Sequence, residues 1–224
     1  FMPLSTGGIG TYVCNASRML TQAGHEVSVI CFGNEPICGT PYGASIYPVN
    51  CTDRRVFNIA ACNVLRFLLA NQRFDVIEVA DLYAEGLSSL LEFPALPSVL
   101  RLHTPTVVSA WVDTRTFPWI AVALHSVRVA TSELIHGRLP KLALRMVLAR
   151  WIPILFYDRL TDPEYQAAKS ATLIVSPSHS LARKVEKIWC LASQSVEVSP
   201  NPMRPHQRQE TANQTQPDSP IPSN

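Results

Sequence analysis

The chain has 224 residues, of which 47% are hydrophobic and 16% are charged, and its formal net charge is +2 at pH 7. This composition is sufficient for a well-buried core, and the small net charge, without a basic run interleaved with aromatic residues, argues against a nucleic-acid partner. Because there is no apolar run of about 18 residues and no signal-peptide pattern, we expect a cytoplasmic protein.

The first half of the chain alternates helical and strand patterns. A helical stripe of apolar residues covers Ile9–Ala23 and stops at Gly24, which suits a left-handed helix cap. Val27–Phe32 is a nearly continuous apolar run, typical of a parallel strand that is covered on both faces. A short strand is predicted at Ser45–Val49, and a helix at Ile59–Asn71.

The alternation continues in the second half. Strands are predicted at Val76–Val79, Ser98–Leu102, Leu173–Val175 and Val196–Val198, and helices at Ala84–Leu91 and Ser180–Trp189. Between residues 105 and 163 the helical period is interrupted by prolines, which predicts several helices joined by bends. The order of these elements predicts an α/β fold with a Rossmann-like, doubly wound parallel sheet.

The composition changes after residue 203. Residues 204–224 are rich in Gln, Pro, Ser, Thr and Asn and contain almost no large apolar side chain. Such a segment cannot bury enough apolar surface to offset the entropy lost on ordering. We therefore predict one domain over residues 1–203 and a disordered polar tail over residues 204–224.

Cysteine spacing gives no sign of a metal site. The six cysteines form no C-x-x-C pair and mostly lie within apolar segments, which predicts buried free thiols in place of disulfides or zinc ligands. The sequence also lacks a Walker lysine and a Gly-x-Ser-x-Gly motif. We expect no bound metal and no catalytic centre of these kinds.

Gly7, Gly8 and Gly10 lie at the start of the first predicted helix. Residues without side chains let backbone amides approach a ligand closely, and a helix N-terminus favours an anion such as phosphate. A dinucleotide fingerprint is disfavoured, because Val13 replaces the third glycine and the strand ending near Gly33 has no acidic residue for a ribose. A plain tight turn is the alternative interpretation.

Polar residues follow two of the predicted strands. His103 comes directly after Ser98–Leu102, and Asp81 and Glu85 follow Val76–Val79. In a doubly wound sheet these positions lie at the carboxyl edge, where ligands bind. His103 is a candidate to contact a ligand hydroxyl, with a structural histidine as the alternative. Asp81 and Glu85 either bind ligand hydroxyls or serve as a helix cap and a first-turn acid.

Four stretches of the chain carry a family resemblance through their joint order and spacing. They are Phe1–Val13, Phe74–Asp81, Leu100–Pro105, and Ala171–Ser178 leading to Val196–Pro202. Together they resemble the N-terminal, acceptor-side domain of family 4 glycosyltransferases, which are retaining enzymes of the two-domain GT-B architecture. The resemblance spans roughly residues 1–203.

The resemblance implies roles for the candidate residues. His103 would be catalytic and lie near the transferred sugar, Gly7 and Gly8 would face the donor diphosphate, and Asp81 and Glu85 would contact the acceptor. The implied reaction moves a hexose from a nucleotide-sugar to a glycan, lipid or small-molecule acceptor with retention. The nucleotide-sugar is the donor substrate, and no separate cofactor is implied.

Two features of the family are not found in this sequence. Family members have an apolar first strand before the segment that matches Phe1–Pro3, and a second Rossmann domain that holds the sugar nucleotide. We therefore expect a fragment that is truncated at both ends and inactive alone, with a separate donor-domain chain as one way to complete it. A non-catalytic remnant or interaction module is the alternative, so enzyme activity stays an open question at this point.

One apolar segment bears on membrane contact. Leu139–Phe156 is apolar nearly all round, with its basic residues not confined to one face. This pattern favours a core or domain-packing segment. A helix that binds a membrane surface, as in some relatives, is the alternative.

Overall fold

The computed structural model describes residues 8–33, 43–51, 53–116 and 157–202, together with the isolated positions 127, 131 and 134. Gly7, the apolar segment Leu139–Phe156 and the predicted tail at 204–224 lie outside the described residues. Most of the region between residues 117 and 156, for which several helices are predicted, lies outside them as well.

All described strands pair in parallel, and they form two sheets. The first sheet consists of β1 (Ser28–Phe32) and β2 (Ser45–Val49). The second sheet has the order β3 (Ile77–Ala80), β4 (Ser98–Arg101), β5 (Leu173–Ser176) and β6 (Val196–Val198). The alternation of parallel strands with helices confirms the predicted α/β fold class.

Six α-helices are described in these segments: α1 (Gly8–Gln22), α2 (Arg54–Asn71), α3 (Leu87–Glu92), α4 (Thr106–Thr116), α5 (Pro163–Ser170) and α6 (His179–Trp189). Helix α1 is followed by Gly24 with φ of +91°, the left-handed conformation predicted for its cap. Helix α6 begins after Ser178, whose hydroxyl accepts a hydrogen bond from the Leu181 N–H.

The main core lies between the four-stranded sheet and its helices. Leu100, Leu102, Val185 and Trp189 are completely buried there. Each buried side chain of this size contributes about 1.5–3 kcal/mol through removal of apolar surface from water. A second, smaller cluster includes Val49, Phe57 and Ala61, and α2 packs against both strands of the β1–β2 pair and against α3.

Two helices begin several residues away from their predicted starts, and one helix was not predicted. Helix α2 begins at Arg54, five residues earlier than predicted, because Arg54, Arg55 and Asn58 interrupt the apolar period before Ile59. Helix α3 begins only at Leu87, because a 3₁₀ turn at Leu82–Ala84 precedes it. Helix α5 was not predicted; Pro163 occupies its first turn, where proline starts a helix as readily as it ends one.

Three predictions about cysteines, membrane spans and metal sites can be compared with the described residues. Cys14, Cys31 and Cys62 are buried and form no disulfide, and Cys190 is exposed and likewise outside any disulfide. None of the helices in these segments is both long and apolar enough to cross a bilayer. In the same segments, no three side chains of His, Cys, Asp or Glu are grouped as metal ligands.

Candidate functional site

His103 lies at the carboxyl end of β4, an internal strand of the four-stranded sheet. The sheet pairing continues past the strand, because the Leu102 N–H donates to the Val175 carbonyl at 2.8 Å. The backbone N–H of His103 then donates to Oδ1 of Asp81 at 3.1 Å. This hydrogen bond joins the loops after β3 and β4 at the sheet edge where ligands bind in open α/β folds.

Asp81 directly follows β3, and its side chain is completely buried. Its Oδ2 has no hydrogen-bond partner among the described residues. The pKa of this carboxyl is raised to about 7, mainly by burial; the hydrogen bond from the His103 amide opposes the rise, and the charge of Glu164 adds to it. The carboxyl therefore holds its proton to a higher pH than an exposed aspartate does.

The imidazole of His103 packs edge-to-face on the ring of Tyr12 in α1, with the ring centroids 5.1 Å apart. Burial, together with the positive charge of Arg101, lowers the pKa of His103 to about 4. The ring is therefore uncharged at neutral pH, with one nitrogen that donates a hydrogen bond and one that accepts. Such a ring is suited to contact a hydroxyl group without adding charge.

Arg101, the last residue of β4, is a cation with only 5% of its surface exposed. Its guanidinium donates to the carbonyls of Ser199 and Pro200 and to Oδ1 of Asn201, at 2.8–3.2 Å. The guanidinium carbon also lies 4.9 Å from the centroid of the Tyr12 ring. Carbonyl dipoles and an aromatic face thus stabilise this charge, and its field acts on the adjacent His103.

Tyr12 connects α1 to the edge of the sheet. Its hydroxyl donates to Oε1 of Glu78 in β3 at 2.6 Å. Burial, and then the charge of Glu78, raises the pKa of Tyr12 well above its ordinary range, so the phenol stays protonated. Gly8 lies about one helical turn before Tyr12, roughly 6 Å along the helix axis.

Glu164, in the first turn of α5, is buried and accepts three hydrogen bonds. Its Oε1 accepts from the Tyr83 N–H at 3.0 Å and the Thr106 hydroxyl at 2.6 Å, and its Oε2 accepts from the Thr106 N–H at 2.7 Å. Burial raises the pKa of this carboxyl, and these hydrogen bonds oppose the rise. Glu164 thereby fixes the turn after β3 and the first turn of α4, the two segments on either side of His103.

The turn after β3 has a strained and closely packed backbone. Tyr83 and Ala84 have φ of 57° and 49°, a conformation that costs a non-glycine residue about 1–2 kcal/mol. A side chain at Gly86 would place its Cβ 2.4 Å from Cγ1 of Val79 in β3. The hydrogen bond from Tyr83 to Glu164 and this close packing hold the turn, and with it Asp81, in place.

An open cleft of about 410 Å³ lies beside His103. The loop after β4 and the first turns of α4 form one wall, and the loop after β5 and the first turns of α6 form the other. Its polar lining side chains are His103, Thr104, Ser109, Ser178, Ser180 and Lys184. This volume lies within the range of small-molecule sites, so we take this α4–α6 cleft as the candidate ligand site.

A family model described as Glycosyltransferase Family 4 matches residues 6–207, which include every site residue named above. The chain belongs to glycosyltransferase family 4. The match confirms the resemblance to family 4 glycosyltransferases and indicates a glycosyltransferase-type function. No curated protein and no solved structure gives a match to the chain.

In this family 4 chain, the structure brings some of the predicted site residues together and leaves others apart. His103 and Asp81 are in contact, and Glu85 is half-buried in the same turn region. Gly8 is exposed at the start of α1, with no atom within 4 Å of the position a Cβ would take, and it is not among the lining residues of the α4–α6 cleft. The catalytic, donor and acceptor roles of these residues stay predictions.

Three residues of the site were not identified from the sequence. Arg101 could have been noticed, because it is a lone charge at the end of an otherwise apolar strand pattern. Tyr12 and Glu164 gave no local signal, because the partners of Tyr12 lie at least 66 positions away and those of Glu164 lie 58 and 81 positions away. Only the tertiary fold brings these groups to His103.

Proposed function

We propose that this chain is the acceptor-side domain of a retaining glycosyltransferase. The intact enzyme moves a hexose from a nucleotide-sugar to a glycan, lipid or small-molecule acceptor. The main support is the uncharged imidazole of His103, which lies beside the α4–α6 cleft at the carboxyl edge of β4. Membership of family 4 supports the reaction class.

In this proposal His103 hydrogen-bonds a hydroxyl of the transferred sugar. Asp81 holds the backbone of His103, and Tyr12 holds its ring, so the imidazole keeps one orientation. A fixed neutral donor and acceptor orients the sugar without the cost of desolvating an imidazolium. Catalysis then depends on positioning and on stabilising the leaving diphosphate, with no dedicated protein nucleophile.

Donor and acceptor contacts come from the segments on either side of His103. Gly7 and Gly8 face the donor diphosphate at the N-terminus of α1, and the open space around Gly8 is consistent with close approach of a ligand. On the acceptor side, Glu85 is half-buried, whereas Asp81 is fully buried. We therefore assign direct acceptor contact to Glu85 and a positioning role to Asp81.

The donor-binding wall is supplied by a second domain, either elsewhere in the same polypeptide or on a separate chain. The residues of this domain alone give the diphosphate a helix terminus in open water, which contributes only about 0.3–1 kcal/mol. Calorimetric titration with UDP-glucose and GDP-mannose should therefore give millimolar affinity or weaker, without product. Micromolar binding or measurable transfer by the purified chain would contradict the proposal that a second domain completes the donor site.

The reaction itself is tested after the chain is joined to a family 4 donor-binding domain. His103→Ala should then lower the transfer rate about 100-fold or more, the usual effect of losing a preorganised hydrogen bond in an active site. His25→Ala is the matched control, because His25 is exposed after α1 and lies outside the site. Equal rates for the two variants would remove His103 from the mechanism, and a joined protein with no transfer would favour an interaction module.

A further inference from the structure

The polar lining of the α4–α6 cleft comes from two different loops. Thr104 and Ser109 approach from the β4 side, and Ser178 and Ser180 from the β5 side. Hydroxyl groups that both donate and accept suit the hydroxyls of a sugar or another polyol. The apolar part of the lining, which includes Val108 and Leu181, can cover the C–H face of such a ring.

The side chains that line the cleft carry a positive charge and no negative charge among the described residues. Lys184 is the one side chain with a full charge among the described lining residues, since His103 is neutral and no carboxylate is present. Lys184 is half-buried and forms no ion pair with a carboxylate of the described segments. The nearby carboxyls of Asp81 and Glu164 are directed to backbone donors of the loops and do not line the cleft.

Because Lys184 is half-buried and has no carboxylate partner within the described segments, it favours a ligand that brings its own negative charge. We propose that the α4–α6 cleft binds a soluble phosphorylated sugar or polyol, with the Lys184 ammonium contacting the phosphate and the hydroxyl side chains contacting the ring. Calling this ligand the acceptor rests on the function proposed above. Its binding does not require transfer, so the two proposals can fail separately.

The test is a titration of the isotope-labelled chain followed by amide NMR shifts, with glucose 6-phosphate, glucose and inorganic phosphate as probes. Glucose 6-phosphate should bind at least about tenfold more tightly than either other probe, because it alone engages both parts of the cleft. The shifted amides should cluster at residues 103–109 and 178–184. Equal affinity for glucose 6-phosphate and glucose, or shifts elsewhere, would overturn the proposal.

Two matched variants test the role of the lysine. Lys184→Gln should weaken glucose 6-phosphate binding about tenfold and leave glucose binding unchanged. Lys187→Gln is the control, because Lys187 is exposed on the same helix and does not line the cleft. Equal losses in both variants would show a diffuse charge effect and overturn the assignment. If Lys184→Gln does not fold, the preference of the unaltered chain for glucose 6-phosphate still decides.

The same data separate this inference from the proposed function. Glucose 6-phosphate binding by the cleft together with absent transfer in the joined protein would support the anion site and contradict the enzyme. Transfer to a neutral acceptor together with no glucose 6-phosphate binding would support the enzyme and contradict the anion site.

Discussion

Asp81 and His103 are in contact, and their ionisations affect the free energy of unfolding in opposite ways. The folded pKa of Asp81, about 7, is above its ordinary value, so its contribution to stability is lost as pH rises toward 7. The folded pKa of His103, about 4, is below its ordinary value, so its contribution is lost as pH falls toward 4. Between these values the two pH dependences largely cancel.

Asp81→Asn should remove one of these two opposing effects. The amide keeps an oxygen for the His103 N–H but carries no charge, so the cost of ionising a buried carboxyl disappears. Relative to the unaltered chain, the variant should gain about 2–3 kcal/mol in unfolding free energy between pH 5 and pH 8. Urea unfolding at the two pH values measures this. A difference that does not change with pH would show that Asp81 has an ordinary pKa.

Gly86→Ala should destabilise the fold for a purely steric reason. The backbone at Gly86 has φ of −100°, which alanine adopts freely, but the new Cβ would overlap the side chain of Val79. We expect a loss of about 1–3 kcal/mol, the usual cost of overpacking. Gly8→Ala is the matched control, since its Cβ would meet no atom within 4 Å. Equal urea midpoints for the two variants would contradict the close approach of this turn to β3.

At the scale of elements, a single carboxylate connects three of them. Glu164 belongs to α5 and binds the turn before α3 and the first turn of α4. Asp162 caps α5 by accepting a hydrogen bond from the Glu164 N–H, so the position of this carboxylate depends on a well-formed helix start. The loops that place Asp81 and His103 are thus held by an element about 60 residues or more away in the chain.

Glu164→Gln should loosen this connection. Glutamine has an NH₂ group in place of one carboxylate oxygen. This group cannot accept the hydrogen bond that the oxygen accepted, so at least one buried donor loses its partner. We expect a loss of about 1–3 kcal/mol in unfolding free energy, with faster hydrogen exchange at the amides of Tyr83 and Thr106. Glu197→Gln on β6, where the side chain is exposed, is the control. Similar exchange rates in both variants would show that Glu164 does not hold these loops.

At the scale of the whole molecule, the candidate site lies at the carboxyl edge of the four-stranded sheet, and α2 packs against both the β1–β2 pair and α3. The predicted polar tail at residues 204–224 lies outside the described residues, and its composition predicts no part in this core. A chain that ends at residue 203 should therefore melt within about 2–4 °C of the full chain, the shift expected for 1 kcal/mol. A larger drop would assign the tail to the fold.

The sequence by itself determined the fold class, the family and most strand positions. β2 and β6 coincide with their predicted bounds, because short apolar runs between turn residues are local signals. The position of His103 just after a strand was likewise predicted from a local pattern. What only the tertiary structure decided is the chemistry around it: the partners of Tyr12 and Glu164 are distant in sequence, and burial, not residue type, sets the pKa values of Asp81 and His103. Burial and long-range contacts arise from packing, which a local pattern does not contain.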